Sequence, residues 1–347
     1  MPTPSRSALP AAIAAIAAIP LLVLLALALA ACPPPQPAGG GGAAGGGAGI
    51  NPAACGTINT SPAGRKLYAF LVASAELDRA SIELERTVGD ACRRMADALG
   101  VSSAGTTKEV CNRAATELQA NLQVSVSSEQ RLVTRYAPPV CHTDIDFTAQ
   151  VAAECEARAT ADVNVQCSGR CGGTCSGACD GACAGGAAGG QCAGQCDGTC
   201  RGRCSGRCDG NVDVDASAEC KASAEVRAAV RTECSEPKVE VVRENVTVVD
   251  DSKFQKAMAA IQVGMPQILR ATARLEHAGR ALGHWVQTGA ELTGAVGRLI
   301  GELGEKGACV AGQIAGVVAA SANIEARFTV SIEVSAQVSA SAGATAQ

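Results

Sequence analysis

Apolar positions recur along this chain with two different periods, and the change of period marks its parts. From about Arg65 to Leu99 the spacing is helical. Leu67, Ser74, Ser81, Val88 and Met95 fall seven apart, as do Phe70, Leu77, Leu84, Ala91 and Ala98. This 4–3 alternation predicts a long helix with a heptad seam that carries small residues in its middle. Gly100 ends it, and a shorter helix is expected from about Thr107 to Leu122. The alternation returns in Phe254, Ile261, Ile268, Leu275 and Leu282, interleaved with Met258, Met265, Thr272, Gly279 and Val286, with Pro266 as a bend. A last helix is expected from about Ala290 to Ser321. It is dense in glycine (Gly294, Gly297, Gly301, Gly304, Gly312, Gly316), and each glycine lowers helix propensity by up to ~1 kcal/mol. Close approach of a second helix is the usual compensation.

Between the helices the period is two. Ile145, Phe147, Ala149, Val151, Ala153, Cys155, Ala157, Ala159, Ala161, Val163, Val165 and Cys167 share one parity. Asp144, Asp146, Gln150, Glu154, Glu156, Arg158 and Asp162 take the other. The stretch from Val212 to Cys234 alternates likewise, with Cys220 on the apolar parity and Asp213, Glu219, Glu225 and Arg231 opposite. Two half-buried strands are predicted. Ile324 to Ala342 also alternates, through Phe328, Val330, Ile332, Val334 and Val338, and reads as a further strand. Leu122–Val133 and Val239–Val249 read as strand extensions with a change of parity, hence a bulge.

The cysteines tie these runs together. About a point midway between Ala187 and Ala188, Cys183 mirrors Cys192, Cys179 mirrors Cys196, Cys175 mirrors Cys200, Cys171 mirrors Cys204 and Cys167 mirrors Cys208. Farther out, Cys155 mirrors Cys220 and Cys141 mirrors Cys234. A tandem repeat does not make a palindrome, whereas an antiparallel hairpin does. Within one extended arm, cysteines four apart are separated by about 13 Å, too far for a disulfide that needs Cα atoms within about 7 Å. Facing arms can bond, and the even spacings put all fourteen cysteines on one face. The arms between Cys167 and Cys208 repeat Cys-x-Gly-x, and the same mirror sets Gly169 against Gly206, Gly173 against Gly202, Gly177 against Gly198 and Gly181 against Gly194. Each rung closes an added loop of about ten residues, for which chain entropy gives ~2.5–3 kcal/mol at most.

Composition limits the remainder. One Trp, two Tyr and four Phe in 347 residues favour thin packing of Ala, Val, Leu and Ile over a thick aromatic core. A net charge of −4 implies neither a nucleic-acid nor a membrane-surface partner. At the N-terminus a single Arg6 precedes an apolar run from about Ala8 to Ala31 that ends Leu29-Ala30-Ala31-Cys32. This resembles the lipobox of bacterial lipoprotein signal peptides. The resemblance implies cleavage before Cys32, lipidation of that residue, and a membrane partner through the lipid. Pro33 after the cysteine, instead of aspartate, implies the outer membrane. Residues 33–52, nearly all Pro, Gly and Ala, read as a tether.

Export implies an oxidising compartment. Beyond Cys32 eighteen cysteines remain. Seven mirror pairs use fourteen, Cys92 and Cys111 flank a turn between helices, and Cys55 is left for Cys309. Cysteines at this spacing could instead hold a soft metal as thiolates. The near absence of histidine (His142, His277 and His284) and the palindrome weigh against it. No catalytic motif was found. His277 and His284, beside Trp285, read as packing or solvated residues, and Arg170, Arg201, Arg203 and Arg207 make the tip mildly basic.

The sequence therefore predicts an α+β protein, an elongated helical bundle with a long disulfide-laddered antiparallel β-hairpin. Its expected parts are a signal peptide (1–31), a lipidated linker (32–60), N-terminal helices (61–122), the hairpin (123–250, tip 167–208), C-terminal helices (251–322) and a C-terminal strand and tail (323–347). The expected role is structural or interaction-based in the cell envelope, with an envelope protein or polysaccharide met at the tip, oligomerisation left open, and no enzyme activity, metal or cofactor. The alternative is a thiol-rich metal-binding or redox-buffering lipoprotein.

Overall fold

The computed structural model describes residues 50–125, 133–185, 187–188, 191–242, 248–342 and 344–346. The apolar N-terminal run, Cys32, most of the tether and the expected strand positions 126–132 and 243–247 lie outside the described residues.

Helix and sheet are mixed, and most described residues are helical. The helices are α1 (Pro62–Leu99), α2 (Thr107–Ser125), α3 (Ile145–Glu156), α4 (Ala218–Val230), α5 (Asp251–Leu303) and α6 (Gly307–Ser341). The strands are β1 (Val133–Ala137), β2 (Cys141–Asp144), β3 (Val165–Arg170), β4 (Thr174–Ala184), β5 (Ala187–Ala188), β6 (Gln191–Cys204), β7 (Arg207–Cys208), β8 (Asn211–Val214), β9 (Glu233–Cys234), β10 (Lys238–Val242) and β11 (Ala344–Ala346). They form three sheets, in the orders β10-β1-β11, β7-β2-β9 and β4-β6-β3-β8, with β5 beside β6.

Local chemistry sets the ends of α1. Ser61 Oγ accepts from the Gly64 N–H at 3.0 Å, Pro62 occupies the first turn, and Gly100 closes the helix at φ 78° with its N–H turned back to Ala96 and Asp97. The first seam register, Leu67 to Met95, is buried throughout. Its small residues have a reason. Trp285 of α5 stacks near Phe70 and donates from Nε1 to Ser74 Oγ at 2.7 Å, while Ser74 donates on to the Phe70 carbonyl at 2.8 Å. A larger residue at 74 would displace the indole and leave its N–H unpaired. Two apolar clusters result. One gathers Met95, Leu118, Phe254, Ile261 and Ile268, and the other Leu67, Phe70, Trp285, Ile314 and Ile324.

Several elements differ from the pattern of the sequence. Residues 145–156 and 218–230, expected in long strands, are helices α3 and α4, so Cys155 and Cys220 are helical. Alanine is frequent in both, at 149, 152 and 153 and at 218, 222, 224, 228 and 229, and Ala is the best helix former. Asp144 adds a cap, its carboxylate accepting from the Phe147 N–H at 3.0 Å. Thr148, Ala152 and Glu225, placed by period two on the solvent face, are buried along the helical stripe. Residues 324–341 are likewise helix. Ile324, Phe328, Ser331, Ser335 and Val338 make one buried stripe there, and only 344–346 form a strand. Leu122 belongs to α2. The break expected between Val286 and Ala290 is absent, because α5 runs through to Leu303 with Pro266 inside, and the chain turns instead at Gly304–Lys306. Gly294, Gly297, Gly301, Gly312 and Gly316 have nothing within 4 Å of where a Cβ would stand, so the expected close helix approach is not made among the described residues.

Candidate functional site

Two arms, 165–184 and 191–214, leave the helices side by side and carry five disulfides. Cys167 is bonded to Cys208, Cys171 to Cys204, Cys175 to Cys200, Cys179 to Cys196 and Cys183 to Cys192, with Cα atoms 5.8–6.0 Å apart. Cysteine alternates with glycine on the inner side and polar or small residues stand outside, as period two requires.

The backbone register is not that of the bonds. Cys179 lies across from Cys200, Cys183 from Cys196 and Cys175 from Cys204, each four residues from its sulfur partner. Facing glycines follow the backbone register and differ from the sequence expectation. Gly177 faces Gly202, Gly181 faces Gly198 and Gly169 lies against Gly210. The disulfides therefore run diagonally, which a flat two-stranded ribbon does not allow at 6 Å. The ribbon is wound. Ser168 has Asn211 on one side and Arg201 on the other, Arg201 then has Ala178, and Ala178 has Gln191. Crossing two strands leads from Ser168 to Ala178 on the same arm, so each arm makes one turn in ten residues.

This winding explains the repeat. Ten exceeds a multiple of four by two, so a cysteine and a glycine exchange places between successive turns of one arm. Cys167 and Gly177 flank Gly202, while Gly169 and Cys179 flank Cys200. Each turn thus sets glycine where its neighbour needs room for sulfur. A Cβ at Gly181 would lie 2.0 Å from the Asp197 carbonyl oxygen, and one at Gly198 2.0 Å from that of Asp180. The sulfurs fill the interior. Cys167, Cys171, Cys175, Cys192, Cys196, Cys200, Cys204 and Cys208 are buried, and only Cys179 and Cys183, towards the turn, are partly exposed. Outside stand Arg170, Thr174, Ser176, Asp180, Gln195, Asp197, Arg201, Arg203 and Arg207. Arg170 neighbours Thr199, which neighbours Asp180, and Arg203 donates to the Ala161 carbonyl at 3.0 Å.

Polar and covalent contacts fasten the coil to the helices. Cys155–Cys220 joins α3 to α4, and Cys141–Cys234 joins β2 to β9. Glu156 accepts from the Ser217 N–H at 2.7 Å and pairs with Lys66 of α1 at 3.3 Å. Burial acts to raise the Glu156 carboxyl, but Ser217 and Lys66 outweigh it and hold it below the usual carboxylate range. Phe147 lies under the guanidinium groups of Arg227 and Arg231, 5.5 and 4.1 Å from its ring centre.

The three histidines lie in this junction. His142 pairs with Asp209, and His284 Nδ1 pairs with Glu225 Oε2 at 2.5 Å. Burial raises the Glu225 carboxyl above its ordinary range against the pull of His284 and Lys221, while Asp213 adds to the rise. Burial lowers His277, and Asp209 opposes the shift. A cleft of about 20 Å³ lined by Thr143, Asn211, Glu225, His277 and Arg280 has room for about one water molecule. The partners of these histidines had no signal in the sequence, because Asp209 and Glu225 reach them only through the fold. Glu225 in particular sits on the parity that reads as solvent-facing.

The last two disulfides, Cys92–Cys111 and Cys55–Cys309, hold α1 to α2 and residues 50–58 to α6. Eighteen cysteines are thus bonded in nine pairs, while Cys32 lies outside the described residues. Among the described residues no group of three or more His, Cys, Asp or Glu is placed to hold a metal ion. No protein-family model matches the chain, and no curated protein or solved structure matches it either.

Proposed function

We propose that this is a lipid-anchored protein of the bacterial cell envelope, an outer-membrane lipoprotein in which a helical bundle carries the disulfide-laddered hairpin as a rigid display element. Its role in this reading is structural or interaction-based, not enzymatic. The observation that supports it most is the coil's construction. Five consecutive disulfides fill the interior, and every side chain outside is small or polar. Among its described residues such a body offers no apolar groove for a small ligand, and what it presents is a stiff, hydrated surface. Arg170, Arg201, Arg203 and Arg207 suit an acidic polysaccharide or an acidic envelope protein, bound in a salt-dependent way.

The test is deletion of Cys167 to Cys208 in the native host. Adhesion or matrix attachment should be lost while copper and oxidant tolerance stay normal. Loss of metal tolerance with normal adhesion would instead favour the thiol-reservoir reading. So would finding most of the eighteen cysteines open to alkylation, without reductant, in protein purified from the envelope.

A further inference from the structure

The first half of α6 leaves an unusual surface open. From Gly307 to Ile324 there is no Asp, Glu, Lys or Arg. The most apolar eighteen-residue window of Gly301–Ser341 has a mean hydropathy of 1.4, yet only 28% of it is buried. One side of the helix is packed, with Val310, Ile314, Val317 and Ile324 in the core. The other side presents Ala308, Ala315, Val318, Ala319 and Ala322 to solvent, rimmed by Lys306 before it and Glu325 and Arg327 after it. Exposed apolar patches with a polar rim mark contact surfaces.

What covers this patch is indicated by where the chain enters. Cys55 is bonded to Cys309, the Asn51 N–H donates to Gln313 Oε1 at 3.0 Å, and Lys306 Nζ donates to the Thr57 carbonyl at 2.5 Å. The chain upstream of Ile50 therefore starts beside the first turns of α6. Residues 33–49 are mostly Pro, Gly and Ala, and the tether that this composition predicts would have a root-mean-square span of roughly 20–25 Å. If Cys32 carries a lipid, as proposed above, this tether keeps the uncharged face at an effective concentration on the order of millimolar relative to the bilayer. We propose that the face of α6 from Ala308 to Ala322 rests on the membrane that holds the anchor and forms a second contact with it. It lies on the surface and does not cross, because its opposite side is packed in the core and its first turn is disulfide-bonded.

The proposal rests on the lipid-anchor reading, and the experiment separates the two. In the full chain, expressed in its host, benzoylphenylalanine replaces Ala315, Ala319 or, as a control on the coil, Ser176. Irradiated membranes should give several-fold more phospholipid adduct at 315 and 319 than at 176. A cross-linked dimer through 315 would overturn the proposal in favour of a second copy of this chain, and adducts no more abundant than at 176 would overturn it outright. The mass of the N-terminal peptide from the same sample reports lipidation of Cys32. An unmodified Cys32 would remove the anchor reading and leave the adducts to decide the surface by themselves.

Discussion

The helices and the coil make their interiors in opposite ways. Around Trp285 the helices bury large side chains, Phe70, Leu67 and Ile314 among them, and the hydrophobic effect holds them together. The coil has Val163, Val165, Val212 and Val214 near its base, and beyond those its interior is sulfur and glycine. Cores of the first kind tolerate exchange of similar volumes. In the second kind each rung is covalent, and glycines such as Gly181, Gly194 and Gly198 are fixed by a neighbouring carbonyl. One interior is cohesive, the other is stapled.

Complete reduction should separate the two regions most sharply. Removing five rungs at ~2.5–3 kcal/mol each takes away on the order of 10 kcal/mol from a segment with little apolar area to replace it. Under a strong thiol reductant, trypsin should cut at Arg201, Arg203 and Arg207 while far-ultraviolet circular dichroism keeps most of its helical signal. Loss of both together would show that the helices depend on the coil.

A single methyl group is the next test. Gly181→Ala drives a Cβ to 2.0 Å from the Asp197 carbonyl oxygen. It should open the adjoining rungs, so that thiols of Cys179 or Cys183 become open to alkylation and the coil loses about 2–4 kcal/mol. Ser74→Ala in the helices removes the acceptor of the Trp285 N–H and should cost about 1–3 kcal/mol in thermal unfolding, with no free thiol. The same glycine-to-alanine change should reverse sign in α5. Gly294→Ala meets nothing within 4 Å and should stabilise by about 0.5–1 kcal/mol.

The smallest effect is a pH dependence at the junction. Because the folded-state pKa of Glu225 is raised, its contribution is fully present below the unfolded carboxylate pKa and is lost as pH rises through the folded value. Glu225→Gln should therefore raise the melting temperature more at pH 8 than at pH 4. Glu156 has the opposite sign. Its lowered carboxyl stabilises above the unfolded pKa, and that stability is lost as pH falls through the folded value, so Glu156→Gln should cost more at pH 8 than at pH 4.

How legible each part was in the sequence depends on what fixes it. The heptad from Leu67 to Met95 and the seam through Phe254, Met258, Ile261 and Met265 could be read directly, because large side chains at helical spacing have one stable arrangement. The cysteine arms could be read as antiparallel partners because the spacing is symmetric and even, and cysteines equidistant from Ala187–Ala188 are the ones joined. Two things could not be read. Runs that alternate apolar with polar residues, as in 145–156 and 324–341, satisfy period two and a helical stripe alike, and helix propensity and Asp144 decide the first case. The winding was also hidden. Even spacing fixes the face but not the four-residue offset between bond and backbone, which follows from how closely Gly177 and Gly202 approach.

That offset has a consequence for how such a coil can change its size. A step of four residues in one arm alone would place every later cysteine opposite the wrong neighbour, and a step of two would put cysteine where glycine must be. Only simultaneous insertion of Cys-x-Gly-x into both arms preserves both the bonds and the packing. The element therefore behaves as a ruler graduated in fixed divisions. Its reach can be lengthened or shortened by whole marks, with the outward residues of each new mark free to be chosen.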